Sequence, residues 1–261
     1  MIKKNVTPSP DLTRVYAWFA ALVHEDAELM GDMYAHGLPI DTPHPLRHTT
    51  ALMEASRLGR PHLVSWLLTR GAAPTILCGM PRGTPLHCAL YRGGWEIARL
   101  LVNASSRCGV TDAYGRTPLH ILAMEAGNDG SNTSPLEIAS LLLAKGCHID
   151  SLDYEGITAL HYCVINDDLA LAQLLLHYGA NANALTPDTH VSPLMIAALE
   201  KNLTMATALL LHGANPHAPT REGSTPASIL PIIAAMAEEA TPTKDESLPS
   251  LQRLPLPEYA S

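Results

Sequence analysis

The apolar and polar positions of this chain recur as whole words. GTPLHCAL begins at Gly83, GRTPLHIL at Gly115 and GITALHYC at Gly156, and each sets a threonine just ahead of a short apolar run. With the Thr or Ser of each word as origin, copies start at Thr50, Thr84, Thr117, Thr158, Ser192 and Thr225, at steps of 34, 33, 41, 34 and 33 residues. A fixed period of that length marks a stacked array in which each unit buries its apolar face against its neighbours.

The second half of each unit agrees. A leucine-rich segment closes on glycine at Gly71, Gly146, Gly179 and Gly213, the place where a helix ends in a left-handed cap. Ser105 stands where the third copy should carry that glycine. Gly37 lies 34 residues before Gly71 and closes an earlier unit without the word, with Ser9, Pro10 and Asp11 supplying a helix start. The step of 41 places eight extra residues in EAGNDGSNTSP, a solvated loop over 126–135. In the last unit Pro231 interrupts the first helix and predicts a shortened cap. The chain therefore divides into a flexible start at 1–10, an array over 11–240 and a proline-rich tail at 241–261 with no helical period, which reads as disordered. The units fall near 11–44, 45–78, 79–111, 112–152, 153–186, 187–219 and 220–240.

Composition adds limits. Hydrophobic residues make up 47% and there is one Phe, so the core is built from Leu, Ala, Ile, Val and Met, a mixture suited to closely packed helices. A net charge of -8 repels phosphate backbones and anionic membrane surfaces, so neither nucleic acid nor membrane is an expected partner. The five cysteines are odd in number and never spaced C-x-x-C, which fits a reducing compartment. Two early lysines and the apolar run Val15 to Val23 imitate a signal peptide, but Asp11 and Arg14 flank the run and no small-residue cleavage site follows. A cytoplasmic, monomeric protein is expected. The alternative is one secreted into a host cell without a cleaved signal.

In TPLHCA, TPLHIL, TALHYC and the period near 33 the chain resembles the ankyrin-repeat family. The resemblance implies an all-α solenoid of helix-turn-helix units with β-hairpin fingers, six to seven repeats including degenerate caps. It also implies that the histidine of the word hydrogen-bonds backbone to tie units together, and that partners are held on a concave face by finger tips and by variable positions of each first helix. On this chain those positions give Tyr91, Arg92, Tyr114, Arg116, Ile121, Met124, Tyr154, Ile157, Tyr162, Ile165, Ile196 and Leu199. Aromatic and apolar groups gathered in such a stripe mark a protein partner.

Thirteen histidines and five cysteines raise the question of chemistry. His87 beside Cys88, and His161 near Cys163, could set a base by a thiol, but His87, His120 and His161 occupy the structural slot of the word. No H-x-x-x-H pair shares a helix face and no cysteine pair completes a zinc set. P-loop, G-x-S-x-G and dinucleotide glycine patterns are missing. The expected protein is a non-enzymatic adaptor or inhibitor that needs no cofactor or metal and binds another protein. The alternatives are an effector binding a host protein, and a small His/Cys enzyme.

Overall fold

The computed structural model describes residues 11–77, 83–104, 109–125 and 135–240. Fourteen helices fill them, in seven antiparallel pairs. The first members are α1 (Leu12–Val23), α3 (Ala51–Leu58), α5 (Pro85–Leu90), α7 (Pro118–Glu125), α9 (Ala159–Ile165), α11 (Pro193–Leu199) and α13 (Pro226–Ile229). The second members are α2 (Ala27–Ala35), α4 (Pro61–Thr69), α6 (Trp95–Ala104), α8 (Pro135–Ala144), α10 (Leu169–His177), α12 (Leu203–Leu211) and α14 (Ile232–Ala240). Each first helix packs on the first helix of the next pair, and from α4 onward the second helices do the same, giving two parallel layers with one continuous interior. Leu52, Leu86, Leu119, Leu160 and Leu194 are buried in successive layers of it. The run Val15 to Val23 lies in α1 and buries Trp18 and Leu22 in the same core.

Local chemistry explains the helix ends. Thr50, Thr158, Ser192 and Thr225 are N-caps whose side-chain oxygens accept the backbone N–H three residues on. Proline follows the cap in α5, α11 and α13, where its missing N–H costs no bond. Gly71, Gly146, Gly179 and Gly213 end the second helices at φ of 81 to 89°. Pro231 separates the four-residue α13 from α14. Ser105, the loop residues 126–134, the start at 1–10 and the tail at 241–261 lie outside the described residues.

The fingers differ from the expected β-hairpins. Among the described residues no strand forms. Each finger is a tight turn closed by a backbone bond: Asp112 N–H to Arg116 O at 3.0 Å, Asp153 to Ile157 at 3.1 Å, Thr186 to Val191 at 3.1 Å and Thr220 to Ser224 at 2.8 Å. Five or six residues are too few for a ladder, and side chains take its place. Asp112 Oδ1 accepts from the N–H of Tyr114 and Arg116, and Asp153 Oδ1 from those of Glu155 and Ile157.

Candidate partner-binding face

The units are joined by their histidines. The Nδ1 of His87, His120 and His161 accepts the backbone N–H of Thr84, Thr117 and Thr158 at 3.1, 3.1 and 3.3 Å. That leaves the proton on Nε2, which donates to a carbonyl of the next unit: Arg116 at 3.3 Å, Ile157 at 3.0 Å and Val191 at 3.3 Å. Burial pushes all three imidazoles below their ordinary value, outweighing the carbonyl bonds that act the other way. Both ring nitrogens are committed, so none of the three can serve as a base. Cys163 is fully buried, and burial raises its thiol further from ionisation. Among the described residues no group of three His, Cys, Asp or Glu could hold a metal ion, and no helix is long and apolar enough to cross a membrane.

The fingers are joined to each other. Tyr154 N–H donates to Tyr114 O at 3.0 Å, and Arg221 N–H to Thr189 O at 3.0 Å. Gly115 packs so closely on Tyr154 that a Cβ there would lie 2.5 Å from the ring, and a Cβ on Gly156 would overlap the ring of Pro187. The finger tips thus stand in a contacting row along one edge of the array.

Behind that row lies a polar cluster. Tyr91, capping α5, donates to Asp112 Oδ2 at 2.5 Å, and Tyr162 of α9 donates to Asp153 Oδ2 at 2.7 Å. The phenols of Tyr91 and Tyr162 are each pushed up to about 12, first by burial and then by the carboxylate bond. Arg116 sits among them, its Cζ 4.8 Å from the Tyr114 ring centre and its Nε 4.0 Å from Asp153 Oδ2. Its Nε is buried without a hydrogen bond. At the other end of the array Glu54 is buried against Arg57, at 2.6 Å, and Arg47, at 3.5 Å.

The expected stripe is therefore split. Ile121 is 0% exposed and belongs to the interior, and Tyr162 is buried with its phenol spent on Asp153, so neither offers a surface. Both occupy the slot directly after the histidine, as does the buried Glu54. Cys88 and Ile196 hold the same slot in their units and are half-buried. The open positions are the tips, Tyr114 at 54% and Tyr154 at 78% exposure, and the ends of the first helices, Ile165 at 51%, Leu199 at 55% and the exposed Arg92. Arg116, Met124, Ile157, Ile196 and Tyr91 are half-buried between them.

Two features escaped the sequence reading. Asp112 and Asp153 organise the finger row, and their signal was present as D-x-x-G-x-T at Asp112 to Thr117 and Asp153 to Thr158. Charge is also divided along the array. Residues 47–116 hold nine arginines against three acidic residues, whereas 117–240 hold thirteen acidic residues against three basic ones. The net value conceals this polarity.

Comparison with known proteins gives concordant matches. A family model described as ankyrin repeats, in three copies, matches residues 52–151 and 124–220. The B-cell lymphoma 3 protein homolog of Mus musculus is 35% identical over 144 residues, which is 55% of this chain and 31% of that protein. The chain thus spans about a third of that relative's length. The crystal structure of the ankyrin repeat domain of Bcl-3, described as a member of the IkappaB protein family, superposes with a TM-score of 0.71 at 25% identity, covering 85% of this chain and 97% of the other. An ankyrin repeat domain from Acinetobacter baumannii AYE superposes at 0.67 with 25% identity, covering 77% and 99%.

Proposed function

Because the chain belongs to the ankyrin-repeat family, we propose that it works as a non-enzymatic adaptor or inhibitor, holding a protein partner along the finger row and the adjoining ends of the first helices. The observation that carries this reading is a run of large exposed side chains along successive units, Tyr114 and Tyr154 on neighbouring tips and Ile165 and Leu199 at equivalent helix ends. None of these side chains is needed to close the core, and aromatic groups on a rigid, preformed surface bind at low entropic cost. The arginine-rich and acidic halves orient the partner, since a segment of matching polarity is steered in one direction only. A chemical function has no foothold in the histidines, whose nitrogens are spent on the seams between units.

The test is a photo-crosslinking residue placed at Tyr154 in the full chain, with the captured protein identified and then titrated against variants. Tyr154→Ala with Leu199→Ala is expected to weaken its binding at least tenfold while the far-ultraviolet circular dichroism stays unchanged. Unaltered affinity in a folded double variant would overturn this placement of the binding face.

A further inference from the structure

Among the described residues the C-terminal end of the array is open on two joined surfaces. A cavity of about 390 Å³ lies between the last two fingers and against α11 and α13, walled by Val191, Met195, Leu199 and Ile229 and flanked by Asp188 and Glu222. Ile229 also belongs to the free end of the stack, where it is 41% exposed and Ile232 is 51% exposed, because no further unit among the described residues covers α13 and α14. Terminal units of a stacked array ordinarily turn a polar face outward, since an apolar one invites association.

We propose that residues 247–257 of this chain, SLPSLQRLPLP, fold back onto this groove and cover Ile229. Three observations favour that occupant. The first is register. His177 ends α10 and Leu211 ends α12, and in each case the following finger tip, Asp188 or Glu222, stands eleven residues further on. The same count from Ala240 at the end of α14 reaches Leu251, which the repeat register would set next to the finger that walls the groove. From there a proline-rich segment advancing about 3 Å per residue crosses two units, each about 10 Å wide, within seven residues. The second is composition. Leu248, Leu251, Leu254 and Leu256 match the apolar walls, and the interleaved prolines restrict the segment beforehand, so that docking orders little that is free. The third is charge. Arg253 is the one charged residue in the segment, and the groove offers it two carboxylates, Asp188 and Glu222, against the single cation of Arg221.

The docked segment covers Leu199 and leaves Tyr114 and Tyr154 open. The proposal shares Leu199 with the partner-binding reading, but its test uses the chain alone and needs no partner, so the two can fail separately.

Amide hydrogen exchange of the full chain, compared with a chain ending at Ala240, tests it directly. Amides of residues 220–233 are expected to exchange at least fivefold more slowly in the full chain, with light scattering showing monomers in both. Leu254→Asp with Leu256→Asp in the full chain is expected to reproduce the truncated pattern. A synthetic peptide of residues 245–261 should restore protection to the truncated protein. Equal exchange in the full and truncated chains overturns the proposal. Protection that appears only as the full chain dimerises overturns it equally, because the tail then covers a second copy.

Discussion

At the scale of single residues the histidine seam sets the response to acid. His87, His120 and His161 are held neutral by burial, with values below the ordinary imidazole value near 6.5. The unfolded chain therefore takes up protons that the folded chain refuses. Their contribution is complete above about pH 6.5 and is lost as the pH falls below it, at up to about 1.4 kcal/mol per pH unit for each histidine. Urea midpoints measured at pH 7.5, 6.5 and 5.5 should fall steeply only over the last interval. His161→Met copies Met195, which fills the same slot in the next unit. It should cost about 1–3 kcal/mol at neutral pH by stranding the Thr158 N–H and the Val191 carbonyl. It should also reduce the acid slope by about a third, a change that loss of packing alone would not produce.

At the scale of elements the turns between paired helices show where the fold carries strain. Gly59 and Gly93 adopt left-handed backbone between their helices, but Glu25, Asp167 and Lys201 hold the same conformation at φ of 55 to 59° with side chains that disfavour it. Glu25 is tied to Arg60, and Asp167 to the side-chain amide of Asn202. Lys201→Gly should therefore raise stability by up to about 1 kcal/mol in chemical denaturation. Gly146 and Gly156 separate two costs of a side chain. Both have positive φ, but a Cβ meets nothing on Gly146 and collides with Pro187 on Gly156. Gly146→Ala should cost about 1 kcal/mol, and Gly156→Ala clearly more, with Pro187→Gly recovering the difference.

The same elements show what could be read in advance. Caps, glycine stops and the 33-residue period are local, and so the array was legible in the sequence. Which side of a first helix stays open was not. Ile121 and Ile165 are chemically alike, yet one is sealed between neighbouring helices and the other ends its helix in solvent. That distinction depends on how closely α5, α7 and α9 pack, which no residue announces by itself. Tyr91 and Tyr162 likewise read as surface anchors until the carboxylates of Asp112 and Asp153 came within reach.

At the scale of the molecule, stability is a sum of units and of the interfaces between them, and the last unit has one neighbour. Its first helix has four residues, and Ile233 is its fully buried large side chain. Hydrogen exchange should report opening of α13 and α14 at a lower free energy than α7, α9 and α11, with protection rising stepwise toward the centre. Uniform protection along the array would mean that the chain opens as one cooperative body.

The contacting row of finger tips has one more consequence. Tyr114 is pinned to Tyr154, Gly156 abuts Pro187, and Thr189 is pinned to Arg221, so the intervals along the edge cannot stretch or shorten to suit a visitor. Packed helices set each interval at about 10 Å, which is about three residues of extended chain. The edge is a ruler with fixed graduations, and if it holds a partner as proposed above, a polyproline II segment, which turns the same side outward every third residue at about 3 Å per residue, fits that pitch.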